Sequence, residues 1–167
     1  MRPMRLFKRE VKDIREIETI LKTCDTVRIG AADEDGIFVV PMNYGYELVT
    51  EDAGHPILKI YVHSAYEGRK AEAFKKEPAV AFEMDCGHEI IRGDYTCSYS
   101  YAYMSIMGSG VIRELTDPGM KEYGLKKLMA HMAPEADLRF SPEVLSRTCV
   151  FCIESDQFTG KKRAPKN

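Results

Sequence analysis

Apolar and polar residues alternate over much of the chain, and four segments replace that alternation with helical spacing. A period of two is typical of half-buried strands, whereas apolar residues three and four apart mark one face of a helix. Helical spacing near Glu10 predicts an N-terminal helix over about 10–23 that packs on a core. Further helices are predicted over about 64–76, from the N-cap Asp117 to His131, and from Ser141.

Alternating segments predict strands at about 26–32, 37–48, 58–63, 79–84, 97–113 and 147–155. The Asp35-Gly36 pair predicts a hairpin turn. Pro41 has no N–H to donate, so it indicates an edge strand or a bulge. The segment 85–94 is expected to be a loop with a short strand. From about 158 the chain is expected to form a basic C-terminal tail that is loose at its end.

Short strands and hairpin turns dominate the first two thirds of the chain, which favours an antiparallel β-barrel with peripheral helices. A doubly wound parallel sheet is excluded, because too few helices separate the strands. Neither the Rossmann nor the P-loop glycine motif is present. We therefore expect a single, mainly β domain over 1–167.

Composition narrows the function classes. Apolar residues make up 44% of the 167 and charged residues 30%, as in globular proteins. The net charge of −2 and the pI near 6.1 argue against nucleic-acid binding. The sequence contains no apolar run long enough for a membrane span and no secretory signal, so we expect a cytoplasmic location.

The five cysteines are expected to be reduced thiols. Cys149 and Cys152 have the spacing of a redox or metal motif, but they fall in a predicted strand, where residues three apart face opposite sides. Asp85 and His88 could supply two metal ligands, yet no second pair stands at zinc spacing. The segment is better explained as a turn, and we expect no metal site.

A strand that leads directly into a helix lies at Leu58–Phe74. Ser64 and Glu67 fit a capping box at the helix start. Backbone N–H groups there attract an anion, and Arg69 and Lys70 add two positive charges. Gly68 leaves room for a ligand to approach. One interpretation is a phosphate-binding turn, and the other is a capped surface helix with solvated basic side chains.

Tyr99, Tyr101, Tyr103, Ser105 and Met107 fall on one face of a long predicted strand. The tyrosines could stack on a planar ligand. The alternative is aromatic packing between neighbouring strands, which the pattern alone favours, because aromatic residues favour sheets.

Several motifs, in this order along the chain, resemble the Nim-type (nitroimidazole-resistance-like) flavoproteins. These belong to the pyridoxamine-5′-phosphate-oxidase-like FMN-binding split barrels. The motifs are Asp25-x-Val-Arg-Ile-Gly30, Val39-Val-Pro-Met-Asn-Tyr-Gly-Tyr46, Tyr61-x-His-Ser-Ala-x-x-Gly-Arg-Lys70, and Tyr103-x-Ser105 followed by Gly108-x-Gly110. The resemblance extends from about residue 5 to 163. A tryptophan often stands at the position of Tyr99 in this family, and a basic residue at that of Met104.

The resemblance implies a homodimer with two FMN molecules in clefts between the subunits. Arg69 and Lys70 would hold the phosphate, with help from Ser64, and Gly68 would lie in the same turn. The other implied cofactor-binding residues are Pro41, Met42, Asn43 and Tyr44 along the isoalloxazine, His63 and Ala65 beside it, and Tyr103, Ser105 and Lys161 in the cleft, with 159–161 closing it.

The resemblance further implies an oxidoreductase in which bound flavin reduces a small molecule, for which a nitro-aromatic compound is one candidate, with NAD(P)H as a candidate electron donor. His63 is a candidate acid or base, or else makes a structural hydrogen bond. Two alternatives stay open: a non-catalytic binder of FMN or of another planar cofactor such as haem, and a phosphate-ligand or dimerisation module without redox chemistry.

Overall fold

The computed structural model describes residues 4–50 and 56–165, which form an antiparallel sheet curled into a barrel. Its strands are β1 (Glu10–Val11), β2 (Val27–Asp33), β3 (Gly36–Met42), β4 (Gly45–Val49), β5 (Ile57–Ala65), β6 (Ala79–Ile91), β7 (Ser100–Glu114) and β8 (Thr148–Arg163). The α-helices are α1 (Ile14–Thr23), α2 (Arg69–Lys76), α3 (Pro118–Met132) and α4 (Pro142–Arg147). The predicted mainly β barrel with peripheral helices is confirmed.

The barrel is split between two strands that are neighbours in the chain. The hydrogen-bonded order is β3-β2-β6-β7-β8-β5-β4, and β1 pairs with β8. The outermost strands β3 and β4 are separated by only Asn43 and Tyr44, yet they are not paired with each other. Pro41 therefore lies on an edge strand, where its missing N–H costs no ladder hydrogen bond.

One hydrophobic core fills the barrel and includes the buried faces of α1 and α2. Phe74 of α2 packs edge-on against Phe151 of β8, with ring centroids 5.4 Å apart. At the start of β4, the ring centroid of His131 lies 4.7 Å from that of Tyr44 and 5.4 Å from that of Tyr46. The last turn of α3 is thereby attached to the barrel beside the split.

The starts of three helices follow capping chemistry. Asp13, Asp117 and Ser141 each accept a hydrogen bond from an N–H group in the first turn of α1, α3 and α4 respectively. These caps supply partners for N–H groups that a helix leaves unpaired at its start.

Helix α2 begins differently, and the predicted Ser64–Glu67 capping box is wrong. The N-cap is Gly68, and no side chain caps the helix. Ser64 lies in β5, and its hydroxyl donates to the carbonyl oxygen of Ala65 at 2.7 Å. The strand continues because its pairing with β8 extends to Ala65.

Predicted element boundaries fail where strand pairing extends beyond the local pattern. Residues 10–11 form β1 against β8, so α1 begins at Ile14 and not near residue 10. Strand β6 crosses the predicted loop 85–94 and ends at Ile91, with a bulge on the way. The expected basic tail from about 158 is the second half of β8, paired with β7 as far as Arg163.

The predicted strand over 37–48 is two strands, β3 and β4, because the chain passes across the split at 43–44. Cys149 and Cys152 lie in β8 and face opposite sides of it, as expected, since they pair with Ser64 and Tyr61 respectively. Among the described residues, no group of three or more His, Cys, Asp or Glu side chains is placed to hold a metal ion. No helix in the same part of the chain is long and apolar enough to cross a membrane.

Helix α3 covers the outer surface of β4, β5 and the first half of β8, and Glu47 anchors it. The Tyr123 hydroxyl donates to Glu47 Oε1 at 2.9 Å, and the Tyr61 hydroxyl donates to Oε2 at 3.1 Å. Lys127 Nζ lies 3.4 Å from Oε1. The helix approaches closely at Gly45, where a Cβ would collide with the backbone of Lys127.

The Glu47 cluster makes the docking of α3 sensitive to pH. Partial burial raises the pKa of the Glu47 carboxyl, but hydrogen bonds from Tyr123 and Tyr61 and the charge of Lys127 outweigh burial, so the pKa is lowered overall. A carboxyl with a lowered pKa adds stability above its ordinary pKa of 4.5, and this stability is lost as the pH falls through the folded-state value.

We predict that Glu47→Gln lowers the free energy of unfolding at pH 7 by about 1.5 kcal/mol, because charge-assisted hydrogen bonds are lost. Urea denaturation measured between pH 7 and pH 3 should show the difference from the unmodified protein shrinking on acidification. Glu122→Gln is the matched control, since Glu122 pairs with Lys126 on the exposed side of the same helix and should change stability little. A difference for Glu47→Gln that is the same at all pH values would contradict this account.

Candidate functional site

The outer surface of the sheet is covered on one half and bare on the other. Helix α3 lies over β4, β5 and the start of β8, where the Tyr123 ring meets Tyr61 edge-on at 5.8 Å between centroids. The other half consists of the outward residues of β3, β2, β6, β7 and the end of β8. The register aligns Pro41, Arg28, Glu83, Met107 and Thr159 in one row across these five strands.

Apolar side chains are exposed on this bare face. Val39 is 64% exposed, Ile37 is 87% exposed and Met107 is 50% exposed. Gly30, Ala81 and Ser109 form the next row across the strands, and their small side chains leave a groove of about 670 Å³. Contiguous exposed apolar surface of this kind is typical of an interaction site.

A second feature is the turn from β5 into α2. Gly68 has a φ of 116°, which side-chain-bearing residues rarely adopt. A Cβ at Gly68 would meet no protein atom within 4 Å, so the backbone conformation alone accounts for the glycine within this chain. No side chain caps α2, so the first N–H groups of the helix are available to an anion.

Arg69 and Lys70, predicted to act together, point to different partners. Arg69 forms a two-pronged ion pair with Asp33 at the end of β2, with Nε 2.6 Å from Oδ2 and Nη2 2.8 Å from Oδ1. Its guanidinium also lies 4.5 Å from the Phe38 ring centroid. The Arg69 guanidinium lowers the pKa of the Asp33 carboxyl, so this pair is ionised at neutral pH. An arriving phosphate would have to compete with Asp33 for the same fork.

Lys70 lies on the side of His63. Burial is the main reason that the pKa of His63 is lowered, and the positive charge of Lys70 lowers it further. Nδ1 of His63 is buried and has no hydrogen-bond partner among the described residues. A buried polar atom left unpaired costs about 1–3 kcal/mol, so this corner is suited to a ligand that supplies a partner.

The structure places the predicted cofactor-binding residues in two groups. The first group lies around the split and the β5–α2 turn. Pro41 and Asn43 are exposed at the end of β3, and Ala65 is exposed at the end of β5. Asn43 lies two residues before Gly45, the first residue of β4. Gly45 pairs with Tyr61, which is two residues from His63. His63 and Lys70 complete this group.

Three predicted residues near the first group turn their side chains inward. Met42 is 6% exposed and belongs to the core. Tyr44 is fully buried, and its hydroxyl donates to the carbonyl oxygens of Leu21 and Cys24. The Ser64 hydroxyl is engaged by the Ala65 carbonyl. The Tyr44 side chain is therefore held by the core and does not face a ligand.

The second group lies on the bare face of β7 and β8. Ser105 pairs directly with Lys161, and Tyr103 is two residues away on the same face. Lys161 Nζ lies 5.8 Å from the centroid of the Tyr103 ring. Strands β2, β6 and β7 lie in succession beyond β3, so three strand spacings, about 14 Å, separate this group from Pro41.

The sequence analysis missed a network of charges beside the second group. Arg28 Nη1 lies 3.1 Å from Glu83 Oε2 and 2.7 Å from Asp85 Oδ1. Asp85 Oδ2 also binds His88 Nε2 at 2.7 Å. Asp85 and His88 were predicted in a turn, because nothing local shows that β6 continues to Ile91 through its pairing with β7. The alternation of outward-facing residues at 81, 83 and 85 was the available signal.

The chain can be compared with known proteins on this basis. The family model described as pyridoxamine 5'-phosphate oxidase matches residues 13–162, which contain both groups. This chain belongs to that family. No protein with a curated description matches it in sequence.

Solved structures agree with this family membership. A candidate 5-nitroimidazole antibiotic resistance protein from Bacteroides thetaiotaomicron is 30% identical, with a TM-score of 0.76 over 92% of this chain and 86% of that one. The flavocytochrome Anf3 from Azotobacter vinelandii is 15% identical, with a TM-score of 0.77 over 98% of this chain and 73% of that one. The FAD and heme binding protein from Mycobacterium smegmatis is 13% identical, with a TM-score of 0.77 over 95% and 76%. At these identities, the flavocytochrome and the Mycobacterium smegmatis protein show only that they share the fold of this chain.

We predict that His63 titrates below its ordinary pKa of 6.5, because burial and the Lys70 charge disfavour the imidazolium. Lys70→Met should raise the pKa of His63 without restoring 6.5, since burial is the larger cause. Two-dimensional NMR of the imidazole resonances against pH measures both values. Lys76→Met, at the other end of the same helix, is the control. A His63 pKa at or above 6.5 in the unmodified protein would show that the corner is hydrated.

Proposed function

We propose that this protein is a homodimeric FMN-binding oxidoreductase that reduces a small molecule through the flavin. Membership of the pyridoxamine 5'-phosphate oxidase family and the 30% identity to a candidate 5-nitroimidazole antibiotic resistance protein support this proposal. The observation that carries it is the division of the predicted cofactor-binding residues into two separate groups, one around the split and the β5–α2 turn and the other on the outward face of β7 and β8.

One chain does not bring the two groups onto the same ligand. The β5–α2 corner lies beside the start of β8, where His63 pairs with Val150, whereas Lys161 lies eleven residues further along β8 and pairs with Ser105. A two-fold axis through the bare face would place the corner of one copy opposite the β7–β8 group of the other. The same axis would create two equivalent sites, because a two-fold interface uses the same surface twice.

The bare face is chemically suited to such an interface. It exposes Val39, Ile37 and Met107, and small residues on the neighbouring strands allow close approach of a second sheet. Burying exposed apolar surface stabilises an association by about 25 cal/mol per Å² before the costs of association. Helix α3 does not obstruct this face, because it covers the opposite half of the barrel.

The β5–α2 corner suits the phosphate of the cofactor. The unpaired N–H groups at the start of α2 and the Lys70 ammonium attract an anion. His63 Nδ1 offers a buried hydrogen-bonding atom that lacks a partner among the described residues. Arg69 would join the site by exchanging the Asp33 carboxylate for phosphate, since both anions fit its fork. The flavin supplies the redox chemistry, and these residues bind and orient it.

We predict that Arg69→Ala weakens FMN binding by about 1.5–3 kcal/mol, which is the range for a lost charge-assisted hydrogen bond. Asp33→Asn should strengthen FMN binding, because the guanidinium is then free of its carboxylate partner. Fluorescence titration measures both affinities. Riboflavin, which lacks the phosphate, should show little change with either variant, and Arg139→Ala, remote in sequence and paired with Asp137, is the protein control.

Equal losses of FMN and riboflavin affinity would mean that Arg69 supports the fold of the corner and does not contact phosphate.

The redox function is tested on the same preparations. Flavin absorbance at about 450 nm should bleach when NADH or NADPH is added without oxygen, and should recover with a nitro-aromatic acceptor. The oxidoreductase would be contradicted if NADH and NADPH do not reduce the bound flavin and if flavin reduced with dithionite does not pass its electrons to the acceptor. The protein would then be a flavin-binding protein only.

A further inference from the structure

A separate pocket of about 490 Å³ lies where the bulge of β6 meets the ends of β7 and β8. His88, Glu89, Tyr103, Met104 and Arg163 contribute to its wall. Tyr103 belongs also to the second group of predicted cofactor-binding residues, so the pocket borders the proposed flavin site.

His88 is held in place from two sides. Its Nε2 lies 2.7 Å from Asp85 Oδ2, and Asp85 is in turn fixed by Arg28 at 2.7 Å. The imidazole also stacks on the Tyr101 ring, with centroids 5.4 Å apart and planes 23° from parallel. The bulge between Cys86 and Glu89 turns the chain so that His88 reaches the pocket. Because Asp85 engages Nε2, Nδ1 is the ring nitrogen left for another partner.

One cation of the pocket wall, Arg163, lacks a carboxylate partner among the described residues. It pairs with Tyr103 in the β7–β8 register. Lys162, the other cation of the wall, is engaged by Glu16 at 2.7 Å. Glu89 is the opposing carboxylate of the wall. A guanidinium without a partner can hold a carboxylate by two parallel hydrogen bonds.

The remaining wall favours a flat ligand. The Tyr103 ring supplies apolar surface next to Arg163, its partner in the β7–β8 register. Aromatic faces pack well against planar conjugated groups. Cation and aromatic surface are thus side by side in a cavity of the size of a small molecule.

We propose that this pocket binds a small aromatic carboxylate, with the carboxylate on Arg163 and His88 and the ring against Tyr103. The proposal rests on the proposed function for its meaning, since it names the chemical class of the substrate that is to be reduced beside the flavin. Binding itself depends only on residues of this pocket.

Calorimetric titration of flavin-free and FMN-loaded protein with 4-nitrobenzoate and with its neutral isostere 4-nitrobenzamide tests the proposal. We expect the carboxylate to bind about tenfold tighter than the amide, as for a charge-assisted pair. Arg163→Gln should remove that preference, and Glu89→Gln should increase it. Arg139→Gln, an exposed arginine on another segment, should leave it unchanged. Arg163→Gln should keep the FMN affinity of the unmodified protein while it loses the preference for the carboxylate, which separates this pocket from the flavin site.

A second measurement needs no variant. In the unmodified protein, 4-nitrobenzoate should shift the imidazole NMR signals of His88 and leave those of His131, in the last turn of α3, unaffected. Equal affinities for the two probes, or His88 signals that do not move at saturating 4-nitrobenzoate, would overturn the proposal. Failure of FMN to bind while the carboxylate preference persists would overturn the proposed function and leave this site standing.

Discussion

The barrel directs alternate side chains of every strand into one core, and this leaves the outward faces to be covered by something else. Helix α3 covers β4, β5 and the start of β8, held there by Glu47 and by the close approach at Gly45. The outward face of the other strands has no such cover and exposes Val39 and Met107. Exposed apolar surface next to unpaired polar groups is where a ligand or a second chain can still bind.

The β5–α2 corner shows how local geometry sets that capacity. Gly68, three residues after the end of β5, has a positive φ and is the N-cap of α2 without a side-chain cap, so the first N–H groups of the helix are free. Arg69 is held by Asp33, whereas Lys70 faces His63. The two basic residues are neighbours in sequence but have different partners. In the proposed site, Lys70 would provide a positive charge and Arg69 would have to leave Asp33 for the phosphate, which would link the β2–β3 hairpin to ligand binding.

Much of the fold could be predicted from the sequence, because alternation and capping chemistry are local. The caps Asp117 and Ser141 and the Asp35-Gly36 hairpin follow from the residues themselves. Features set by distant pairing could not be predicted. β5 runs past Ser64 because β8 pairs with it, and β6 crosses a glycine-containing segment because β7 pairs with it. Residues 158–163 form a strand and not a tail, because they also pair with β7. The candidate site was predicted as a set of residues, but the inward turn of Tyr44 and the Arg69–Asp33 pair depend on tertiary contacts.

The central claim is that each flavin site combines the β5–α2 corner of one copy with the β7–β8 group of another. Co-expression of two differently tagged variants tests it most directly: Arg69→Ala with Lys70→Ala in one chain, and Tyr103→Ala with Lys161→Glu in the other. Each variant alone should bind no FMN at concentrations that saturate the unmodified protein. The mixed dimer should bind one FMN per dimer, because one of its two sites then has both intact halves. A mixed dimer that binds no FMN, although the unmodified dimer binds two, would show that each chain holds its own flavin and would contradict the account.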